Sequence, residues 1–154
     1  GQYRGDNAGV AAKVHRFFLK QEAQEELAAL AARAPDFLAT RTADEIMALL
    51  RYAQRGKMVT IIGEPGVGKT AAFRQFAGTT PHAWHVEINV TTSSVNAMLL
   101  AVLRSMGVRR EGGAGHVLAS LIARNLAGRE AVLIVDEAQK LSEGAFEELR
   151  GLHD

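Results

Sequence analysis

Short apolar runs alternate with segments of helical period along this chain. Met58-Val59-Thr60-Ile61-Ile62 is an unbroken run of the kind that forms a strand buried on both faces, and Ala71 to Ala77 after it reads as a helix. A further strand is predicted over Ala83–Asn89, with Trp84, Val86 and Ile88 on one side. Another covers residues 131–135 (AVLIV), rich in β-branched types and ending at Asp136. Helical patterns fill the intervals. Thr42-Ala43-Asp44-Glu45 has the form of a capping box and opens a helix whose apolar face carries Ile46, Leu49, Leu50 and Ala53. The polar turn Thr91–Ser94 supplies an N-cap for a helix with Val95, Met98, Leu99, Val102 and Leu103, which Gly107 stops. Residues 108–115 (VRREGGAG) read as a flexible basic loop, and His116 to Leu126 as the helix that follows it. Ser142 or Glu143 begins a last helix through Phe146, Leu149 and Leu152. Strands alternating with helices predict an α/β fold with a parallel sheet.

Composition narrows the class without naming a function. The 154 residues are enough for one domain with a sizeable core and a small appendage. Apolar residues make up 47% and charged ones 23%, ordinary for a globular domain. No run has the length of a bilayer span, so no membrane partner is expected. The absence of cysteine excludes disulfides and thiolate metal sites, and agrees with a cytoplasmic setting. The five histidines have no ligand spacing, Trp84 is expected in the core, and Lys57 is expected at a solvated strand end. Net charge is +1, but the basic residues are unevenly spread. Arg4, Lys13, Arg16 and Lys20 face only Asp6 in the first twenty positions, and Arg104, Arg109, Arg110, Arg124 and Arg129 face only Glu111 in residues 101–129. Two basic zones are compatible with an anionic partner and equally with solvated faces.

Two motifs carry chemistry. Residues 63–70, Gly63-Glu64-Pro65-Gly66-Val67-Gly68-Lys69-Thr70, match the phosphate-loop pattern G-x-x-x-x-G-K-[ST] between a predicted strand and a predicted helix, the context that pattern requires. Gly63, Gly66 and Gly68 allow a tight curl that turns N–H groups toward a polyphosphate, and the helix N-terminus, through Ala71, adds its partial positive charge. Lys69 is the group to reach the β- and γ-phosphates, and the Thr70 hydroxyl is a candidate Mg²⁺ ligand. ATP and Mg²⁺ are therefore the expected cofactors. The second motif is Asp136-Glu137, at the C-terminal end of its strand, where open α/β sheets place ligands. A carboxylate at Asp136 suits the phosphate-bridging Mg²⁺, and Glu137 is placed to polarise water for attack on the γ-phosphate. That pairing favours hydrolysis over transfer to a small acceptor.

Beyond the phosphate loop, the series GEPGVGKT, VLIVDEAQKL and FEELRGL resembles the AAA+ ATPases, specifically the branch of the phage Mu transposition protein B family. The opening stretch from Gln2 to Ala8, with Tyr3-Arg4-Gly5-Asp6-Asn7, followed by Val10, Val14, Phe17 and Phe18, is similar to the end of the small helix-turn-helix domain that precedes the ATPase there. By that resemblance, residues 1–33 are the C-terminal part of a helix-turn-helix domain, its last helix plus a linker. Residues 34–154 are the N-terminal part of an AAA+ domain, a P-loop NTPase with a three-layer αβα parallel sheet. The resemblance implies an ATP hydrolase that binds double-stranded DNA without strong sequence preference, forms helical homo-oligomeric filaments on it, and recruits or activates a transposase in the cytoplasm of a bacterial or phage-infected cell. It makes Lys13, Arg16, Arg109 and Arg110 candidate DNA contacts, and places Arg41 and Thr42 near where the adenine is seated.

The same resemblance sets expectations about what is missing. It implies a further strand between those of the two motifs, bearing a sensor-1 residue, and then a sensor-2 arginine and a helical lid. The residues here supply none of these, so the sheet is expected to be incomplete at its C-terminal end. The 154 residues are accordingly expected to be a piece of a longer polypeptide, lacking on their own a stable core and ATP turnover. Other readings of the residues stay open: a helicase-loader-like or secretion-associated AAA+ ATPase, a P-loop kinase, or a transcriptional regulator switched by ATP.

Overall fold

The computed structural model describes residues 7–33 and 37–153. Tyr3, Arg4, Gly5 and Asp6 of the N-terminal pattern lie outside the described residues. The chain divides into two units, up to Leu38 and from Ala39 onward. The first contains α1, Asn7–Arg33, one continuous helix of 27 residues. Its side chains from 12 to 25 are exposed, including Val14, Phe17, Phe18 and Leu19. The Phe17 and Phe18 rings meet edge to face at 6.0 Å.

The second unit runs α2 (Arg41–Ala53), α3 (Lys69–Thr79), β1 (Ala83–Glu87), α4 (Val95–Ser105), α5 (Gly115–Leu126), β2 (Val132–Asp136) and α6 (Glu143–Gly151). β1 and β2 pair in parallel, with His85 opposite Ile134 and Glu87 opposite Asp136. Alternation along a strand sends neighbouring residues to opposite faces. Val86 and Ile88 accordingly enter a core with Met98, Leu99, Val102 and Leu103 of α4, Leu118 and Ile122 of α5, and Ala145 of α6. His85, on the other face, meets the Phe73 ring of α3 at 6.2 Å. Helices thus cover both faces of the sheet, the αβα layering expected of a P-loop NTPase. On the α3 side, α2 packs against α3, and Ile46, Leu50, Phe73 and Phe76 are buried. Gln54, just past α2, donates from Nε2 to the carbonyls of Pro81 (3.0 Å) and Glu130 (2.9 Å), clipping that helix to the turns that enter both strands.

Three sequence expectations need correction. Met58–Ile62 is not a strand: among the described residues the sheet has two members, β1 and β2, and nothing pairs with this segment. Ile62 is 91% exposed. An extended apolar run becomes a strand only when a neighbour completes its ladder. The cap of α2 is Thr40, whose side chain accepts from the Ala43 N–H at 3.1 Å; Thr42 lies inside the first turn, and Glu45 pairs with Arg41 instead. Capping near residues 89–94 also differs. Asn89 caps a 3₁₀ turn, Val90–Thr92, while Ser94 precedes α4 without a side-chain cap bond.

Candidate functional site

The two motifs, far apart in sequence, meet at the C-terminal end of β2. The loop of residues 63–68 leads into α3, whose first residue is Lys69. Gly66 (φ +83°) and Gly68 (φ +90°) adopt left-handed backbone, which explains glycine at both; Gly63 shows no such requirement. Lys69 Nζ folds back onto its own loop, donating to the carbonyls of Gly63 (2.7 Å) and Glu64 (2.8 Å). Glu64, Pro65, Gly66, Val67 and Gly68 are exposed, leaving the loop's concavity open to an incoming anion, and Ala71 is exposed in the first turn of α3.

Thr70 joins the motifs. Its hydroxyl donates to Asp136 Oδ2 at 2.6 Å across 66 residues of sequence. Asp136 is the buried charged residue among those described, and its Oδ1 accepts the backbone N–H of Glu137 at 2.9 Å. A buried carboxylate with two donors is satisfied but not neutralised. A hydroxyl and a carboxylate at this spacing are hard oxygen donors, the type Mg²⁺ selects. The residues fit the ion. Among the described residues no cluster of three or more His, Cys, Asp or Glu is arranged to hold a metal.

Glu137 sits in left-handed backbone (φ 57°, ψ 32°), turning the chain out of the sheet into a 3₁₀ turn, Ala138–Lys140. Its Oε2 accepts from Lys140 Nζ at 2.8 Å and Gln139 Nε2 at 3.0 Å. The hydrogen bond to Glu137 raises the Lys140 ammonium above its ordinary value, with Glu87 and Asp136 adding in the same direction. Nearby, Arg74 of α3 pairs with Glu87 of β1 at 2.9 Å. His85 Nε2 lies 3.6 Å from Asp136 Oδ2, buried and with no hydrogen-bond partner among the described residues.

A cavity of about 230 Å³ flanks the loop, lined by Thr42, Ile46, Leu49, Ile62, Val67 and Lys69. Its mixed apolar and polar wall suits a flat heterocycle attached to the phosphates. Thr42 reaches it, whereas Arg41 points to solvent and pairs with Glu45. A larger groove of about 590 Å³, lined by Ala119, Ala123, Gly144, Glu147 and Gly151, includes no residue of the phosphate loop and neither Asp136 nor Glu137.

The structure therefore brings together Lys69, Thr70, Asp136 and Glu137. It leaves Lys13 and Arg16 on exposed turns of α1, and Arg109 and Arg110 exposed in the loop between α4 and α5. Sequence reasoning passed over His85, Gln139 and Lys140. The signal for His85 was present: on β1, His85 and Glu87 alternate with Trp84 and Val86, marking a polar face in an otherwise apolar strand. Trp84 is half-buried and Lys57 exposed.

Comparison with known proteins agrees with this geometry. The family described as AAA domain matches residues 51–154. The chain is 37% identical over 153 residues to the Mu-like prophage FluMu DNA transposition protein B of Haemophilus influenzae, covering 96% of this chain and 51% of that protein. It is 30% identical over 154 residues to the ATP-dependent target DNA activator B of Escherichia phage Mu, covering 99% of this chain and 48% of the relative, and equally similar to that of Escherichia phage D108. The chain thus spans about half the length of these relatives. Among the described residues, no helix is long and apolar enough to cross a membrane.

Proposed function

Because this chain belongs to the AAA domain family, we propose that it is the ATP-binding part of a target-DNA activator for transposition. In this reading the whole protein hydrolyses ATP, binds double-stranded DNA without strong sequence preference, assembles on it as a helical homo-oligomer, and recruits or activates a transposase. Residues 1–33 belong to its helix-turn-helix domain, and Lys13, Arg16, Arg109 and Arg110 contribute positive charge toward DNA phosphates. The observation that carries the reading is the 2.6 Å contact between Thr70 and Asp136, which makes one site of two motifs.

The mechanism follows from these side chains. The loop N–H groups of residues 63–70 and the N-terminus of α3 hold the phosphates. Lys69 exchanges its two loop carbonyls for β- and γ-phosphate oxygens, a stronger, charge-assisted set of partners. Thr70 and Asp136 would hold Mg²⁺, which would offset negative charge on the phosphates. Glu137 accepts a proton from the attacking water as its oxygen bonds to the γ-phosphorus; the bond to the bridging oxygen breaks, and ADP and phosphate leave. In the arrangement described here the Glu137 carboxylate is bound to Lys140 and Gln139, so it must give up these donors to take that role.

The test uses the natural full-length protein with double-stranded DNA. Glu137→Gln is expected to bind ATP, to lose turnover by about a hundredfold or more, and to remain on DNA longer than wild type. Lys69→Ala is expected to lose ATP binding. Electron microscopy with a non-hydrolysable ATP analogue should show filaments on DNA. Discrete rings or monomers would overturn the filament reading, and wild-type dwell time for Glu137→Gln would remove Glu137 from its role.

A further inference from the structure

Nε2 of His85 is the one buried side-chain polar atom without a hydrogen-bond partner among the described residues. Leaving such an atom unpaired costs its desolvation without a compensating bond, so its position calls for a reason. The ring is not free to look elsewhere. β1 carries it to the α3 face, Phe73 packs against it with ring centroids 6.2 Å apart, and its side chain is 12% exposed. The atom that it faces is Asp136 Oδ2, 3.6 Å away, the oxygen that also accepts from Thr70. Parallel pairing fixes that approach: His85 lies opposite Ile134, so Asp136 is its diagonal neighbour on the same face.

We propose that His85 is a positioning residue for Asp136: its imidazole presents an Nε2–H that closes onto Oδ2 and holds the carboxylate in the orientation that receives Mg²⁺. The inference rests on the reading of Thr70 and Asp136 as the Mg²⁺ side of an ATP site. Two features favour it over a merely space-filling histidine. The unpaired atom faces a carboxylate rather than apolar side chains. That carboxylate is buried and among the described residues carries two other donors, the Thr70 hydroxyl and the Glu137 N–H, leaving acceptor capacity on Oδ2. Groups that orient a metal-binding carboxylate typically change metal affinity by 10- to 100-fold when removed.

The test is made on the natural full-length protein with a fluorescent ATP analogue, titrating Mg²⁺ and reading nucleotide binding. His85→Phe keeps a ring against Phe73 but removes the donor; His85→Gln keeps an N–H at a similar reach. His85→Phe should raise the Mg²⁺ concentration for half-maximal binding by about tenfold, and His85→Gln should stay within about twofold of wild type. Analogue binding without Mg²⁺ should be unchanged in both. A wild-type Mg²⁺ dependence in His85→Phe overturns the proposal, as does an equal weakening with and without Mg²⁺, which would mark a packing role. Should wild type bind the analogue with no dependence on Mg²⁺, the reading of Thr70 and Asp136 fails and takes this proposal with it. If His85→Phe does not fold, nitrogen NMR of histidine-labelled wild type decides: the proton on Nε2 supports the proposal, and the proton on Nδ1 with Nε2 bare overturns it.

Discussion

β2 and the segment Met58–Ile62 deliver the two halves of one site, yet they are held very differently. Both are short apolar runs rich in β-branched residues, and each ends at a motif. β2 is hydrogen-bonded along its length to β1, with Val132 at 7% and Ile134 at 5% exposure. The other segment pairs with nothing among the described residues; Met58 is 54% and Ile62 91% exposed. The carboxylate motif is therefore anchored in a core, while the phosphate loop is anchored from downstream, through α3. Phe73 and Phe76 of that helix are buried, and Thr70 reaches across to Asp136. Similar local sequence yields different structure because a strand is one side of a pair, and the pair is what removes backbone polar groups from water.

The contrast can be broken most forcefully at α3. Phe76→Ala removes a fully buried ring from the helix that anchors the loop and should cost about 3–5 kcal/mol, read by denaturant unfolding of the full-length protein. A loss below about 1 kcal/mol would mean that α3 does not carry the anchoring described. Gly68→Ala comes next. A side chain at φ +90° costs about 1–2 kcal/mol with no clash to relieve, since nothing lies within 4 Å of the added carbon. It should also weaken ATP binding, because the loop cannot relax without turning its N–H groups; unchanged stability and binding would contradict the left-handed geometry. The smallest effect is expected at Ile62→Ala, within about 0.5 kcal/mol, as for other exposed positions. Amide exchange in the same sample should show residues 58–62 exchanging far faster than the β2 residues paired with β1. Slow exchange there, or a large loss from Ile62→Ala, would show that the segment is paired in the working protein.

Much of this was legible beforehand, for identifiable reasons. The face of α4 that enters the core, with Met98, Leu99, Val102 and Leu103, follows from a period of 3.6 residues. β1 was readable from the alternation that puts Trp84, Val86 and Ile88 on one side, and β2 because it is a short apolar run with a polar boundary. The phosphate loop was readable because its spacing is dictated by backbone geometry around phosphate. The cap of α2 was misplaced because Thr40 and Thr42 both satisfy the residue preference, and only the backbone at Thr40 (φ −115°, ψ 161°) selects between them. The alternation along β1 marks His85 as lying on a polar face, but what it faces comes only from register with β2, a strand that begins nearly fifty positions on.

The sequence by itself determined the chemistry available: a loop that can wrap phosphates, a lysine and a threonine at its end, and two carboxylates closing an apolar run. These properties are local, set by residue type and spacing over fewer than ten positions. Tertiary structure alone decided which groups share a site. It put the Thr70 hydroxyl 2.6 Å from Asp136, aimed the His85 imidazole at the same oxygen, and left Met58–Ile62 without a strand partner among the described residues. Those outcomes depend on how helices and strands pack, and packing joins residues whose separation along the chain carries no local signal.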